Sequence, residues 1–470
     1  MAVLKKLAYA GGGAALGYLA WKALDDSAAI RANKALANGK TFVIAGAGFA
    51  GLAAASELAR LFPDADNGKI ILLDEDNYLL FTPMLTEAAG GELETRHIVH
   101  SLEDVSKRIQ FVEGTVEEID LAAKTVTVAT GAKGSGSSKT LYRADHIVIA
   151  LGSVTNFHGI SGLAETAIPM KKLQDAAAVC NRAIACLQRA STEEDPGKRK
   201  ELLTFVVAGG GYTGVETMAA LNDLVRDGVG KYPNITDKDV RTLLIDPGDR
   251  LLMEITPDLT AYAESKLKER GVEIRMQTKV SGATATYVEI EGKERIPART
   301  LIWAAGVKPS PLAEQLPCKK GKHGGIAVNA DFQLPGHPQI WALGDCAEIP
   351  HADGKGFYAP TAQNATREGK LVARNILATL QGRKPKAFDY TPVGELALVG
   401  KHFGVARLYG HNFSGPIAWA MWRAVYLAKM PGARQKARIL SDWLLDLIFG
   451  REPISLDPSA SDIEKSESGI

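Results

Sequence analysis

Two glycine-rich segments of this chain have the spacing that binds nucleotide phosphates. The glycines of the pattern are Gly46, Gly48 and Gly51 in the first copy and Gly209, Gly211 and Gly214 in the second. Glycines at this spacing let the backbone approach a pyrophosphate, whose charge is stabilised by free N–H groups at the N-terminus of the following helix. Two copies in one polypeptide indicate electron transfer between two nucleotide cofactors.

A carboxylate stands where each glycine pattern needs one. Asp74 and Asp246 each end the apolar run that follows their glycine pattern. A carboxylate at such a strand end accepts hydrogen bonds from ribose hydroxyls and repels a 2′-phosphate. We therefore expect the second site to prefer NADH over NADPH, although Arg241 or Arg250 nearby would soften that preference. In the alternative interpretation, the turns and acids only pack.

Each glycine pattern lies between a predicted strand and a predicted helix, which is the context that the motif requires. The predicted elements are the strands 41–45 and 204–208 and the helices 52–61 and 216–225. Later buried strands, 145–150 and 300–305, end in glycine turns at the carboxyl end of the strand, where ligands of open α/β sheets bind.

Size, charge and cysteine spacing exclude several classes of protein. The 470 residues suit two or three domains, and Lys+Arg 55 against Asp+Glu 54 does not indicate a nucleic-acid partner. The four cysteines form no CxxC or CxxxxC pair and have no zinc spacing, so we predict no redox dithiol and no metal. Reduced thiols and a nicotinamide cofactor favour a cytoplasmic or organelle-matrix face.

Four sequence blocks carry a family resemblance. They are NYLLFTPML (77–85), IWAAGVKPSPL (302–312), WALGDCAEIP (341–350) and PTAQNATREG (360–369). These blocks resemble the signatures of the type II NADH:quinone oxidoreductases, and the resemblance extends in order from about residue 41 to residue 456. It implies an α/β fold with two Rossmann-like dinucleotide-binding domains of the glutathione-reductase class, followed by a C-terminal amphipathic helical membrane-association module.

The resemblance also divides the chain. The predicted segments are an apolar anchor or targeting segment with linker (1–40), an FAD-binding domain in two parts (41–160 and 321–395), an NADH-binding domain (161–320), a membrane-association module (396–456) and a polar tail (457–470).

Site residues follow from the resemblance, position by position. It assigns FAD to the first glycine pattern with Asp74 on its ribose, and Asp345 to the ribityl chain of the flavin. The resemblance assigns NADH to the second glycine pattern with Asp246. It also implies that Gly306 lets the nicotinamide end pass close to the backbone. Glu216 matches a family glutamate near the nicotinamide and flavin; alternatively, it only stabilises the N-terminus of its helix. Cys346 receives no redox role.

The predicted quinone site departs from the family pattern. The family has two glutamines four residues apart, whereas this chain has Gln363 followed by Arg367. Residues four apart share a helix face, so a guanidinium would stand where an amide usually lines the quinone slot. Arg367 would contact a quinone carbonyl, stabilise a reduced flavin anion or pair with an acid such as Glu368; otherwise it is a solvated helix residue.

Both ends of the chain suggest contact with a membrane. Residues 7–21 are uncharged and are interpreted as an anchor or as a cleaved targeting peptide. Predicted helices at 416–430 and 433–449 carry tryptophans, leucines and basic residues, as interfacial anchors do. The helix 433–449 is predicted to carry one apolar stripe that faces the membrane, with Asp442 and Asp446 off the stripe. A core or dimer contact is the alternative for both helices.

Together these features predict a membrane-associated flavoprotein of the respiratory chain that transfers hydride from NADH to FAD and two electrons to a membrane quinone, without proton pumping. A homodimer is expected. Two other interpretations stay open: an NADH-dependent reductase of a soluble quinone, iron–sulfur protein or rubredoxin, and a redox-responsive NADH-binding protein.

Overall fold

The computed structural model describes residues 36–63, 68–131, 138–232, 234–291, 294–351, 354–451 and 454–455. Within these residues the chain forms two compact units. The first comprises the chain up to Leu79, Ser101–Ser153 and Pro309–Tyr390. The second comprises Leu80–His100, Val154–Lys308 and the chain from Thr391 onward. The predicted apolar segment 7–21 lies outside the described residues.

The described α-helices are labelled in chain order. They are α1 (Phe49–Leu61), α2 (Leu85–Ala89), α3 (Leu163–Thr166), α4 (Leu173–Ala190), α5 (Pro196–Leu202), α6 (Tyr212–Val229), α7 (Pro257–Glu269), α8 (Pro311–Gln315), α9 (Ala362–Leu380), α10 (Gly415–Lys429) and α11 (Ala433–Phe449). Short 3₁₀ turns lie at Thr82–Met84, Thr95–Ile98 and Gly344–Cys346.

The first unit is built on a six-stranded sheet. Its strands lie in the order Gln333–Leu334, His337–Ala342, His146–Ile149, Thr41–Ala45, Lys69–Asp74 and Ile109–Glu113. All neighbouring pairs are parallel except the first. Apolar, largely β-branched runs form the central strands because both faces of a parallel sheet are buried. A small antiparallel sheet (Thr115–Asp120, Thr125–Thr130, Ser138–Arg143) and a parallel pair (Ile326–Ala327, Ala347–Glu348) complete the unit.

The second unit repeats this plan with five parallel strands. Their order is Ile168–Pro169, Thr300–Trp303, Thr204–Ala208, Arg241–Ile245 and Val272–Arg275. Two antiparallel sheets belong to the same unit: Val280–Ala283, Tyr287–Ile290 and Glu294–Pro297, then Gly394–Leu398, Gly404–Leu408 and His411–Ser414. Short strands also lie at Tyr78–Leu80, Val99–Ser101, Ser153–Thr155 and Val307–Pro309.

The compact units differ from the predicted domain boundaries at 154–160, 309–320 and 391–395 and, most of all, at Leu80–His100. Leu80–His100 was assigned to the FAD-binding part, whereas it belongs to the second unit. The reason is close packing against α6: a Cβ added at Gly90 would lie 2.8 Å from the Cβ of Ala220. The C-terminal helices also belong to this unit, since Trp422 of α10 is fully buried in it.

No helix among the described ranges is both long enough and apolar enough to cross a bilayer. In the same ranges, no group of three or more His, Cys, Asp or Glu residues is arranged to hold a metal ion.

Candidate functional site

The first glycine loop connects the strand Thr41–Ala45 to α1. Gly46 has φ +104°, a conformation that side chains rarely adopt, and a Cβ on it would collide with the carbonyl of Ala150. A Cβ on Gly51 would collide with the carbonyl of Gly46, so strand and helix approach closely. The space beside Gly48 is open, and the first turn of α1 contains no acid. The N-terminus of α1 is therefore free to receive a phosphate.

The second glycine loop reproduces this geometry in the second unit. Gly209 has φ +123°, and a Cβ on it would lie 2.6 Å from the carbonyl oxygen of Ala304. A Cβ added to Gly214 would collide with the carbonyl of Gly209, and the space beside Gly211 is open. The first turn of α6 contains no acid either. The two loops thus have the same backbone geometry, and their binding of phosphate groups stays a prediction.

The two strand-end acids are fixed by backbone N–H groups. Asp74 accepts from the N–H of Ala47 at 2.5 Å and from that of Asp76 at 3.0 Å. Asp246 accepts from Gly210 and Gly248, both at 2.6 Å. Each acid therefore ties its glycine loop to the neighbouring strand. A carboxylate has about four acceptor positions, so capacity for ribose hydroxyls is left.

The two arginines near Asp246 are engaged elsewhere. Arg241 donates to Glu273 at 2.7 and 2.9 Å. Arg250 donates to the carbonyl oxygens of Ile255 and Met253 at 2.9 and 2.7 Å. These bonds supply other partners for both guanidinium groups, which supports discrimination against a 2′-phosphate by Asp246.

Asp345 is positioned beside the first glycine loop. Its Oδ2 accepts from Ser153 Oγ at 2.7 Å. The preceding Gly344 donates its N–H to Glu368 Oε2 at 2.8 Å, and a Cβ on Gly344 would lie 3.0 Å from the Cβ of Ala50 at the start of α1. Burial raises the pKa of Glu368 to about 7. The structure thus brings Asp345 and the α1 N-terminus together, and it adds Glu368, which sequence reasoning treated only as a partner for Arg367.

Gln363 and Arg367 lie one turn apart on α9. Arg367 Nη1 donates to the main-chain oxygen of Gln363 at 2.9 Å. Its guanidinium stacks on the Tyr390 ring at 4.0 Å from the centroid. The acid that follows Arg367 bonds to Gly344 instead. Arg367 is therefore held in place by an aromatic face and a carbonyl, and it is not a freely solvated side chain.

Glu216 is buried in the first turns of α6. Its Oε1 accepts from the N–H of Leu398 at 2.9 Å and from Trp422 Nε1 at 3.0 Å. Burial raises the pKa of Glu216 to about 8, although both hydrogen bonds act to lower it. This side chain joins α6 to the C-terminal hairpin and to α10. Glu216 therefore does more than stabilise the N-terminus of its helix.

Four charged residues near Glu216 were not identified from the sequence as site residues. Glu87 and Glu92 both bond to Arg423 Nη2, at 3.3 and 2.9 Å. Glu92 also accepts from Arg451 at 2.6 Å. The signal in the sequence was weak: two acids five residues apart follow the NYLLFTPML block, and their arginine partners lie more than 300 residues away.

Gly306 and Cys346 each lie shortly after the end of a strand. Gly306 has φ +135°, and a Cβ there would lie 2.9 Å from His158 Nε2. The contact with His158 therefore requires glycine at position 306. The role of Gly306 beside the nicotinamide stays a prediction. Cys346 donates to the carbonyl oxygen of Leu343 at 3.3 Å. Burial raises its pKa to about 12, which agrees with giving it no redox role.

The expected single apolar stripe on α11 is wrong. Ile439 and Trp443 point inward and are buried. The half-buried Asp442 lies beside them; it accepts from the N–H of Glu94 and bonds to His97 at 2.6 Å. The exposed side chains are Leu440, Leu444, Leu445, Leu447, Ile448 and Phe449. Asp442 was expected off the stripe, and it helps to dock the inner face because His97 and the backbone of Glu94 satisfy it. The leucines form a separate outer face.

Comparison with known proteins places these features in a family. Residues 40–369 match the pyridine nucleotide-disulphide oxidoreductase model, and residues 393–452 match the NDH2 C-terminal domain. A probable NADH dehydrogenase of Dictyostelium discoideum is 30% identical over 390 residues, covering 82% of this chain and 85% of the relative. A type II NADH:quinone oxidoreductase of Mycobacterium tuberculosis is 30% identical over 424 residues, covering 87% and 88%. The chain belongs to the type II NADH:quinone oxidoreductase family.

Solved structures confirm the fold. NDH2 from Plasmodium falciparum, in complex with NADH, aligns with a TM-score of 0.80 at 19% identity, covering 88% of this chain and 99% of that one. The sulfide:quinone oxidoreductase of Aquifex aeolicus aligns with a TM-score of 0.66 at 19% identity, covering 88% and 96%. The predicted two-dinucleotide-domain α/β fold is confirmed.

The first unit of this family member fits FAD. Its glycine loop leaves no room for a Cβ at Gly46, and it leaves open space at Gly48 above a helix N-terminus. Asp74 and Asp345 place carboxylates beside that loop, on two different strand ends. The loop, the helix dipole and these acceptors match a dinucleotide that has phosphates and polyol hydroxyls.

Proposed function

We propose that this protein oxidises NADH and passes two electrons through FAD to a membrane quinone, without moving protons across the membrane. The observation that carries the proposal is the pair of equivalent glycine loops, one in each unit, each closed by a strand-end aspartate. Two nucleotide sites in one chain suit the transfer of a hydride between two cofactors. The names of the relatives, NADH dehydrogenase and type II NADH:quinone oxidoreductase, support the same reaction.

The protein residues hold and orient the cofactors. The N-terminus of α1 binds the FAD pyrophosphate, Asp74 accepts from the adenosine ribose, and Asp345, fixed by Ser153, accepts from the ribityl chain. Bound FAD accepts a hydride and returns electrons to the acceptor, which is chemistry that side chains cannot supply. The N-terminus of α6 and Asp246 bind NADH in the same way, with Gly306 beside its nicotinamide end.

We assign the acceptor side of the reaction to Gln363 and Arg367. The two residues share one face of α9, and Arg367 presents a positive charge held by Tyr390. A guanidinium at this place binds a quinone carbonyl by a charge-assisted hydrogen bond.

Glu216 belongs to the NADH-binding unit, where the resemblance puts it near the nicotinamide and flavin. Its pKa is raised to about 8, so at neutral pH it holds a proton, and a perturbed pKa is typical of a residue at a functional site.

The outer face of α11 binds the membrane surface. Its large apolar side chains are exposed, and Arg434, Lys436 and Arg438 lie at the start of the same helix. An apolar face beside basic residues is the pattern of a helix that lies in the interface and is attracted by anionic lipids. The catalytic units then face the cytoplasm or an organelle matrix. The homodimer stays a prediction, to be tested by sedimentation of the detergent-solubilised protein.

A rapid-mixing experiment tests both halves of the reaction. NADH is mixed with the FAD-loaded protein, and bleaching of the flavin absorbance is followed; ubiquinone and menaquinone analogues are then added. We expect bleaching by NADH and re-oxidation by at least one quinone. Bleaching without re-oxidation by any quinone would contradict the acceptor assignment and would favour an NADH-binding sensor.

Arg367 favours a second candidate, a reductase of a soluble acceptor. A fixed guanidinium also binds the carboxylates of an acidic electron-transfer protein such as a rubredoxin or an iron–sulfur protein. Faster re-oxidation by such a protein than by quinone in the same rapid-mixing experiment would select this candidate.

A further inference from the structure

A small cavity lies within the second unit, beside Glu216. Its volume is about 10 Å³, close to the space that the centre of one water molecule needs. Glu87 and Thr86 of α2 also line it, together with Ala220 of α6 and Leu398 of the C-terminal hairpin. Three elements distant in sequence thus enclose a polar space of the right size for a single molecule.

Two buried polar atoms at this cavity have no hydrogen-bond partner among the residues that the structure describes. They are Thr86 Oγ1 and Glu87 Oε2, and both residues are almost fully buried, at 3% and 1% exposed. An unsatisfied buried oxygen costs about 1–3 kcal/mol, so a partner in the cavity would recover that free energy. A water molecule serves one carboxyl oxygen and one hydroxyl at once and still has a bond to give Glu216.

Three carboxyl groups line the cavity, and two of them face cations. Glu87 and Glu92 face the guanidinium groups of Arg423 and Arg451, whereas Glu216 bonds to Leu398 and Trp422. The other titratable or charged groups nearby are Asp446 and Asp227 close to Arg451, Lys401 close to Asp446, Arg270 with Asp223 close to Glu92 and Arg451, and Tyr212 and Tyr426 close to Glu216. Burial favours the neutral form of a carboxyl group, so a proton bound among the three lining acids is stabilised.

We propose that this cavity binds one water molecule, held by Thr86, Glu87 and Glu216, and that the water joins the three carboxyl groups into a site that stores one exchangeable proton. Burial and then the charge of Glu92 raise the pKa of Glu87 well above its usual value, in agreement with a proton shared in this cluster.

The use of this proton rests on the proposed function. Oxidation of NADH by a quinone consumes one proton: the hydride carries two electrons and one proton to form NAD⁺, and the second hydrogen of the quinol comes from a proton donor. The cluster supplies that proton and is refilled from solvent, so no oxidant or reductant beyond the two substrates is needed.

Two measurements on the FAD-loaded protein test the site without NADH or quinone. A high-resolution crystal structure is expected to show a water bonded to Thr86 Oγ1 and Glu87 Oε2. Infrared spectroscopy then follows the protonated carboxyl band as the pH is raised. Glu87→Gln removes one of the three carboxyl groups that share the proton, so we expect the midpoint of the band to fall by at least one pH unit, a tenfold loss of proton affinity.

Two further variants make the result decisive. Thr86→Val removes a partner of the water and no carboxyl group, and it should also lower the midpoint. Glu395→Gln changes a half-buried acid that does not line the cavity, and it should leave the midpoint unchanged. A dry cavity, or an equal midpoint in Glu87→Gln and the unchanged protein, would overturn the proposal. Normal titration in a protein that reduces no quinone would overturn the proposed function alone.

Discussion

Asp246 has a structural role in addition to its predicted role in nucleotide choice. Its two oxygens hold the N–H groups of Gly210 and Gly248, so Asp246→Ala removes both bonds along with the charge. We expect the preference for NADH over NADPH in kcat/KM to narrow by about tenfold, which corresponds to about 1.4 kcal/mol. NADH binding itself should weaken because the loop loosens.

Asp246→Asn separates these two effects. It removes the charge and keeps one acceptor for the loop, so it should narrow the preference with a smaller loss of NADH binding. Equal use of NADH and NADPH by the unchanged protein would show that Asp246 does not select the nucleotide.

The raised pKa of Glu216 predicts that the free energy of unfolding depends on pH. Its folded-state pKa is about 8, against an ordinary value of 4.5, so the folded protein binds more protons than the unfolded chain between these values. Stability therefore falls as pH rises through this window, by at most about 1.4 kcal/mol per pH unit. Glu216→Gln lacks this slope. Its Tm, relative to the unchanged protein, should increase with pH between 4.5 and 8; a constant difference would show that Glu216 is ionised throughout.

Gln363 and Arg367 should control the acceptor half-reaction alone. Gln363→Leu is expected to slow flavin re-oxidation by quinone and to leave reduction by NADH nearly intact. Arg367→Gln restores the family pattern, and loss of one charge-assisted bond of about 1.5–3 kcal/mol should change quinone affinity by about ten- to a hundredfold. Rapid mixing measures both steps.

Lys370→Gln is the control for Arg367→Gln. It makes the same charge change on an exposed position of α9 and should alter neither half-reaction. A change in Tm alone for Arg367→Gln would show that the stack on Tyr390 serves packing.

At the scale of elements, the two faces of α11 have different tasks. Ile439, Asp442 and Trp443 dock the helix, while Leu444 and Leu447 face outward. Burying a leucine in the membrane interface contributes about 1.5–3 kcal/mol. The double variant Leu444→Glu, Leu447→Glu should therefore lower binding to anionic lipid vesicles by at least about a hundredfold. Vesicle co-sedimentation gives the partition.

Leu141 provides a matched control for these leucines. It is 55% exposed, compared with 56% for Leu444, but it lies in the hairpin of the first unit. Leu141→Glu should leave vesicle binding unchanged. If the α11 variant still binds vesicles and instead loses self-association in sedimentation, its outer face is a contact between subunits.

At the scale of the whole molecule, the second unit depends on the C-terminal part of the chain. Arg451 is 1% exposed in its side chain and joins Glu92 to the carbonyl oxygen of Gly90. Arg451→Ala removes one of the two arginine partners of Glu92 and leaves the carbonyl oxygen of Gly90 without its bond, and a buried polar group that loses its partner costs about 1–3 kcal/mol. We expect a clear drop in Tm, measured by calorimetry, and none for the exposed Arg434→Ala. An unchanged Tm for Arg451→Ala would show that the C-terminal part is not fastened there.

Removing the C-terminal helices is therefore a poor test of membrane binding. Deletion of residues 416–470 would remove more than the side chains expected to face the membrane. Trp422 is fully buried and bonds to Glu216, so the deletion would open the NADH-binding unit itself. Point variants on the outer face of α11 avoid this damage.

The amino-acid sequence by itself determined the two nucleotide loops, their strand-end acids and the family. These features are local: Gly46 and Gly209 need a positive φ, and Asp74 and Asp246 each lie one strand away from their loop, so a short pattern records them. The helices 415–429 and 433–449 were also predicted closely, because Pro431-Gly432 separates two apolar runs.

Only the tertiary structure decided which side chains meet. Glu87, Glu216 and Arg451 come from three distant segments, and no periodicity links them. The sequence could not distinguish the inner face of α11 from the outer face either. Both faces carry large apolar side chains, and the spacing of leucine and tryptophan does not show which of them are buried. The two faces differ because the fold supplies His97 and the backbone of Glu94 as partners for the half-buried Asp442, and a carboxylate that loses water needs such partners.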